Sequence, residues 1–581
     1  MEIGVHHCLG VSYSPNNHLF SNQQLLSMNG LDWVILLFTL GFIVIYGTWK
    51  TRKQADLNSY LRGGQEANWA TVGLSVMATQ ASAITFLSTP GQAFESGMGF
   101  LQFYLGLPLA LVILSVTIIP IFYRLNVYTA YEYLEERFDL RMRLFTAFLF
   151  LVQRGLAAGI TIYAPAIVLS TVLGWDLNTM NILIGILVII YTVSGGTKAV
   201  SLTQKWQMAV IMGGMFYTFY MILDYLSPHV SFLEAIELAG VHRKMEIINW
   251  DFDFNERYTI WSGLTGGLFL ALSYFGTDQS QVQRYISGSS LRESRMGLMF
   301  NAILKIPMQF FILLTGVMVF VFYQYFERPI HFNQNIVELV SNSDRADDGD
   351  DLVYKFNGIQ EEKHVMMEQG IMANEQALKD LESQQTAVSD EYAALAKEVD
   401  PAAETKDSDY VFIRWILDNL PNGAIGLLLA VILSAAMSST AGELNALGST
   451  TMNDFVKRLR SDQTERDGDV RTSQWLTVGW GIMAIIFALA AQLVDNLIEL
   501  VNILGSLFYG TILGIFIAAF YLKYTKGAQV FIAALLAEAV VLGMFFTTDI
   551  GFLWYNAIGC GIVIIFASLL YLMRSSKPSQ Q

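Results

Sequence analysis

Residues 78–91 read ATQASAITFLSTPG and lie inside an apolar run, about 68–93, that is long enough to cross roughly 30 Å of hydrocarbon. Within that run Gln80, Ser82, Thr85, Ser88 and Thr89 are polar, and the Pro90-Gly91 pair opposes continued helical hydrogen bonding. Lipid offers no partner to a freed backbone group, so broken helix persists at that depth only where protein or a polar cavity satisfies it. The stretch predicts a discontinuous membrane helix beside a binding site, with Pro90-Gly91 as a break.

Two other runs bear on it. Residues 434–445 read SAAMSSTAGELN, and helical spacing puts the hydroxyls of Ser438 and Ser439 about one turn from the Ala435 carbonyl. Three oxygens facing one point form the geometry of a cation site; the same Ser, Ala and Gly content also suits close packing of two membrane helices. A run at about 258–283 carries Gly263, Gly266 and Gly267, then Ser273, Tyr274, Gly276, Thr277, Asp278 and Gln279. Two polar, glycine-interrupted helices five spans apart fit an inverted repeat of spans 2–6 against spans 7–11.

Composition agrees with a polytopic membrane protein. Of 581 residues 53% are hydrophobic and only 15% charged, with a mean hydropathy of +0.43. Thirteen runs qualify as spans: about 31–49, 68–93, 99–122, 142–173, 178–194, 199–223, 258–283, 297–326, 423–452, 471–494, 497–522, 527–547 and 552–573. Lys and Arg gather in alternate loops, around Lys50–Arg62, Arg124–Arg143, Arg284–Arg295 and Lys457–Arg466. Those loops are expected to be cytoplasmic, with the N-terminus outside and the C-terminus inside a plasma membrane. The expected organisation is an extracytoplasmic segment 1–30 without signal-peptide character, a membrane body 31–573 and a cytoplasmic tail 574–581. Cys8 and Cys560 have no spacing that suggests a disulfide framework or a metal site.

Residues 327–409 form an acidic extracytoplasmic insertion, with 20 acidic and 7 basic residues. Their centre, about 360–399, has the composition of a solvated helix or helical hairpin, serving as a spacer or as a contact for another protein. Ionisable groups within spans cost about 3 kcal/mol on insertion scales, so each needs a partner or a job. Arg154 fits a substrate carboxylate or a structural acid equally well. Asp278 is expected to orient a loop through Arg284, Lys305 to reach the inner surface, and Glu443 to tune the cation site or cap a packing contact.

With these motifs in view the chain resembles the sodium:solute symporter family. The resemblance rests on YLRGGQEANWA (60–70), ATQASAITFLSTPGQAF (78–94), IFYRLNVYTAYEYLEERFDLRMRLF (121–145), YTVSGGTKAV (191–200), FGTDQSQVQRY (275–285) and AAMSSTAGELNALGS (435–449). It implies an all-α polytopic membrane protein with a LeuT-like five-plus-five inverted repeat and about thirteen transmembrane helices. It further implies sodium as coupling ion, bound by the carbonyls of Ala78, Ala81 and Ala435 and the hydroxyls of Ser438 and Ser439. The implied substrate set is Gln80, Ser82, Thr85, Phe100, Gln102, Arg154, Tyr274 and Asp278, with Ser82 and Thr85 at the positions that hold the carboxylate in sialic acid transporters. No cofactor, nucleic acid or enzymatic activity is expected.

Two departures from the family pattern bear on mechanism. Gln204 stands where the family carries an aspartate that helps bind an additional sodium in some members, which implies one sodium here. The arginine that meets the carboxylate in sialic acid transporters aligns with Ala157, and Arg154 lies one turn earlier. One sodium moving through 100 mV supplies about 2.3 kcal/mol, and a tenfold gradient about 1.4 kcal/mol. A neutral solute carried with one sodium is then concentrated several-hundred-fold, whereas a monoanion gains only about tenfold. The substrate class stays open between a carboxylate and a neutral solute such as a sugar. The rival to a symporter is a transporter-like membrane sensor lacking an output domain of its own.

Overall fold

The computed structural model describes residues 29–51, 63–125, 127–401, 403, 405–460, 468–490 and 497–575. The segment before residue 29, the tail from residue 576, residues 60–62 of the YLR motif and the loop residues Arg52, Lys53, Arg62 and Arg466 fall outside the described residues.

The described chain is helical, and its labelled helices are α1 (Gly30–Thr51), α2 (Trp69–Gln80), α3 (Ala83–Ser96), α4 (Leu140–Leu173), α5 (Leu177–Leu226), α6 (Leu268–Thr277), α7 (Gln279–Ile286), α8 (Leu291–Tyr325), α9 (Ala346–Glu368), α10 (Glu375–Val399), α11 (Ala424–Thr450), α12 (Asp469–Ala490), α13 (Leu497–Tyr521), α14 (Gly527–Thr547) and α15 (Leu553–Ser575). Nine helical segments of the described residues are long and apolar enough to cross a membrane. The difference from thirteen expected runs has identifiable sources. The helices Gly30–Ile43 and Leu177–Val193 are short, Ala83–Leu125 counts as one segment where two were expected, and the run at 258–283 is interrupted. The expected runs 178–194 and 199–223 belong to the single helix α5, whose 50 residues would extend about 75 Å if straight.

Starts are set by side-chain caps that accept first-turn N–H groups: Asn68 for Thr71 N at 2.9 Å, Asp139 for Met142 N at 3.0 Å and Asp176 for Thr179 N at 2.9 Å. The start of α11 is capped from outside its own strand of sequence, by Asp32 of α1, whose Oδ1 accepts Gly423 N at 2.7 Å and Gly426 N at 2.9 Å. Small residues then permit close crossings. Gly73 and Gly297 face each other where α2 meets α8. α11 packs on α4 and α5, and α8 on α2 and α3, so the Ala78–Gly91 stretch is enclosed by helices on several sides.

The predicted break at Pro90-Gly91 does not occur there. α3 runs through Pro90 to Ser96, and the chain leaves helical geometry earlier, at Ala81 (φ −87°, ψ 78°) and Ser82 (φ −78°, ψ 173°). Gly91 serves packing instead: a Cβ would overlap the Ser408 carbonyl oxygen. The run at 258–283 breaks at Asp278 (φ −78°, ψ 119°), between α6 and α7. The distal ends of the two broken helices are pinned together, with Ser289 N donating to Ala67 O at 2.9 Å and Ala67 N to Ser287 O at 3.2 Å.

The acidic insertion is a helical hairpin, α9 against α10, with its own small core that includes Leu352, Phe356, Tyr392 and Leu395. Buried Lys363 donates to Gln385 Oε1 at 2.9 Å and pairs with Glu382, which also meets Arg328 at 3.0 Å. Burial pushes the Glu382 carboxyl up, but Lys363 and Arg328 hold it well below the usual carboxylate range. At the base of the hairpin His331 Nδ1 lies 3.0 Å from Asp407 Oδ1 and His331 Nε2 lies 3.0 Å from Thr405 O. Burial opposes its charged form, but Asp407 together with the backbone hydrogen bonds of Thr405 and Asn333 raises the imidazole pKa.

Candidate functional site

The break in the first discontinuous helix is left open. Ser82 occupies the cap position of α3 without making a side-chain cap bond, so first-turn N–H groups of α3 are free of that partner. Across from it lies α11, where Ser438 Oγ donates to Ala78 O at 3.3 Å. Ser439 Oγ is buried with no hydrogen-bond partner. Ala78, Ala81, Ala435, Ser438 and Ser439 are all buried, and the structure thus brings the two motifs, some 360 residues apart, to one place. A buried hydroxyl without a partner, on the residue next to one whose hydroxyl meets the Ala78 carbonyl, is an oxygen set that suits a hard, partly dehydrated monovalent cation.

The break in the second discontinuous helix is filled by protein. Asp278 caps α7, its Oδ1 accepting Ser280 N at 2.8 Å and Ser280 Oγ at 2.6 Å. Its Oδ2 accepts Tyr509 OH at 2.8 Å and pairs with Arg154. Arg154, 3% exposed, also meets Glu443 Oε1 at 3.0 Å, and Glu443 Oε2 lies 3.0 Å from Thr161 Oγ1. Asp278 therefore does not orient a loop through Arg284; that guanidinium reaches the Ser280 carbonyl and Ser201 Oγ instead. A buried arginine between two buried carboxylates is what the cost of isolated charge demands.

Gln204 sits between the first break and α11. Its Nε2 donates to Thr79 Oγ1 at 3.0 Å and to Ser438 O at 3.3 Å, while its Oε1 accepts Ser75 Oγ. The amide N–H groups thus engage the Thr79 hydroxyl and the Ser438 carbonyl.

A cavity of about 100 Å³ joins these parts. Gln80, Ser82, Thr85, Arg154 and Tyr274 line it, as do Ser439, Glu443, Thr161, Tyr104 and Tyr509. Asp278 lies behind Arg154 and Tyr509 and is itself buried. Phe100 and Gln102 are placed elsewhere, lining a separate pocket with Asn249 and Arg257. Gln102 is consumed there by backbone, accepting Asn249 N at 2.8 Å and donating to Tyr258 O at 2.9 Å. Lys305 does not reach a surface. It is fully buried, with Nζ 5.0 Å from the centre of the Tyr104 ring and without a hydrogen-bond partner. Tyr509, Thr161, Tyr104 and Asp32 were not singled out by sequence reasoning; only Asp32, an acid at the start of an apolar run, carries a sequence signal.

Comparison with known proteins agrees with the motifs. The family profile described as "Sodium:solute symporter family" matches residues 60–345 and 390–537, which omits α9 and the first part of α10. Human sodium-coupled monocarboxylate transporter 2 is 26% identical over 493 residues, covering 84% of this chain and 67% of that protein. The sodium/sialic acid symporter SiaT of Proteus mirabilis is 25% identical over 552 residues, covering 94% and 96%. The human sodium/iodide cotransporter is 32% identical over 274 residues, 46% of this chain and 42% of that one. Among solved structures, the substrate-bound outward-open state of a Na+-coupled sialic acid symporter superposes with a TM-score of 0.73 at 24% identity, covering 94% of this chain and 98% of that one. That likeness carries the fold, the LeuT-like arrangement that the family resemblance implies and with which the two broken helices agree. These relatives are transporters, and neither an enzyme nor a sensor is supported. The chain belongs to the sodium:solute symporter family.

Proposed function

We propose that this sodium-coupled symporter carries one sodium ion together with a small carboxylate into the cell by alternating access. The single observation that carries the proposal is the uncapped break at Ser82, which lines one cavity with Ser439, whose hydroxyl has no partner. Sodium is held by the carbonyls of Ala78, Ala81 and Ala435 and the hydroxyls of Ser438 and Ser439. The carboxylate lies at the start of α3, where Ser82 and Thr85 and the first-turn N–H groups accept negative charge. Monocarboxylate and sialic acid transport in the relatives supports this class.

Arg154 is a structural partner of Asp278 and Glu443, with Nε alone left unpaired, and does not supply the carboxylate clamp. Gln204 supports a stoichiometry of one sodium. Val501 and Asn502 at the start of α13 line the cavity, which supports access from the outer side. Arg143 closes the opposite end, pairing with Asp454 at 2.7 Å and Glu135 at 3.0 Å. On this reading the protein works in the plasma membrane with its basic loops and C-terminus inside, as the distribution of Lys and Arg supports.

The test is uptake of radiolabelled carboxylates into proteoliposomes under an imposed inward sodium gradient. Sodium-dependent accumulation of a carboxylate is expected. Equal uptake with potassium replacing sodium overturns the coupling, and sodium-driven uptake of sugars with no carboxylate transported overturns the substrate class.

A further inference from the structure

We infer that the transported carboxylate is a zwitterion whose ammonium group is received by Glu443. The inference rests on the carboxylate assignment above and adds the second charge of the solute.

Hydrogen-bond counting separates the two acids that share Arg154. Asp278 accepts from four donors, namely Ser280 N, Ser280 Oγ, Tyr509 OH and Arg154, and lies outside the cavity lining. Four donors on two oxygens saturate an ionised carboxylate, so Asp278 uses the one positive charge that Arg154 offers. Glu443 is the surplus. It is 5% exposed, it shares the same guanidinium, and its remaining protein contact is a neutral hydroxyl, Thr161. A buried carboxylate left without its own cation is costly, and a cationic group arriving from the cavity removes that cost.

Glu443 is also the only acid, and Arg154 the only base, among the described residues that line the cavity. A solute entering there meets a guanidinium whose two terminal nitrogens are already engaged by carboxylates, and a carboxylate without a cation of its own. The aromatic walls agree with a cation: Tyr104, Tyr274 and Tyr509 line the same space, and the Arg154 guanidinium already rests 5.4 Å from the centre of the Tyr274 ring. Ser82 and Thr85 line the same cavity, so one small molecule meets both a carboxylate receptor and an ammonium receptor. A zwitterion moving with one sodium carries net positive charge and draws on the membrane potential, which a simple monoanion does not.

The experiment is a thermal-shift panel on the purified full chain, with sodium and with potassium. The probes are 2-amino acids and 4-aminobutyrate, the hydroxy and unsubstituted acids of the same carbon skeletons, simple alkylamines and sugars. The expected result is sodium-dependent stabilisation by an amino carboxylate, binding about tenfold or more tighter than its deaminated counterpart. In Glu443→Gln that preference disappears, and in Glu443→Asp part of it returns. If deaminated acids bind as well as amino acids in the wild type, the carboxylate assignment stands and the ammonium site falls. If only sugars stabilise, both fall. A panel in which no amino carboxylate stabilises overturns the inference, and so does a second sodium equivalent that Glu443→Gln abolishes. The wild-type panel decides the matter even where a variant fails to fold.

Discussion

The two helix breaks arise from similar sequence, polar residues and small residues in an apolar run, yet they end in opposite states. At Ala81–Ser82 the protein leaves groups unpaired: Ser82 forms no cap bond and Ser439 opposite has no partner. At Asp278 every carboxylate oxygen is taken, by the cap of α7, by Tyr509 and by Arg154. A discontinuous helix in a membrane must satisfy its freed groups, and here the second break is satisfied internally while the first is the one we propose for the transported species. The internal charge cluster then forms one wall of the cavity served by the open break.

The largest effect is expected from emptying the filled break. Arg154→Leu leaves Asp278 and Glu443 buried without a cation and should cost about 3–5 kcal/mol of stability. Thermal denaturation of the purified protein measures it, and an unchanged midpoint means that the acids do not depend on Arg154. Next comes a control remote from both breaks. Glu382→Gln strands Lys363 and Arg328 in the insertion and should cost up to about 3 kcal/mol, read as faster hydrogen exchange across α9 and α10. Sodium dependence of uptake should stay the same, and a lost dependence would tie the hairpin to the site.

Stripping the open break should act on binding rather than on folding. Ser438→Ala with Ser439→Ala should weaken sodium at least about tenfold, near 1.4 kcal/mol, with little change in melting temperature. Sodium titration of thermal stability checks it, and unchanged affinity moves the ion elsewhere. Gln204→Asp removes the amide donors from Thr79 and Ser438 and supplies a negative oxygen. Steeper sodium dependence, with a Hill coefficient rising from about 1 towards 2, is expected; an unaltered slope shows that the amide is not what excludes a second ion. The smallest effect concerns His331. Its pKa is raised in the folded protein, so its pairing with Asp407 stabilises below the unfolded imidazole pKa, and that contribution is lost as pH rises through the folded value. His331→Gln should flatten this pH dependence by less than about 1 kcal/mol, measured as melting temperature against pH.

Much of the open break was legible in sequence. Ala78, Ser82 and Thr85 fall in one motif, Ser438 and Ser439 in another, and it was the family resemblance, not local spacing, that implied their meeting. The exact break was not. Pro90-Gly91 carries the stronger local signal, but proline is tolerated within a buried membrane helix whose neighbours take up the loss, and Gly91 is needed for the approach of Ser408. Lys305 departs from expectation for a related reason: snorkelling is the default for a lysine in a span, but here the ammonium stays buried over the face of the Tyr104 ring. Phe100 and Gln102 sit beside the third span's entry in sequence, yet Gln102 is spent on the Asn249 and Tyr258 backbone.

By itself the sequence determined the membrane class, the family, the two discontinuous helices and the helical character of the acidic insertion, because hydropathy, helical period and short motifs are local properties of the chain. Tertiary structure decided which groups at each break are satisfied. Arg154 finds Asp278 and Glu443 across separations of 124 and 289 residues, and Gln204 turns its amide towards Thr79 and Ser438. Whether a buried polar group is spent or available depends on partners that chain folding alone brings within hydrogen-bonding distance, so the division between structural charge and proposed transport site is written only in three dimensions.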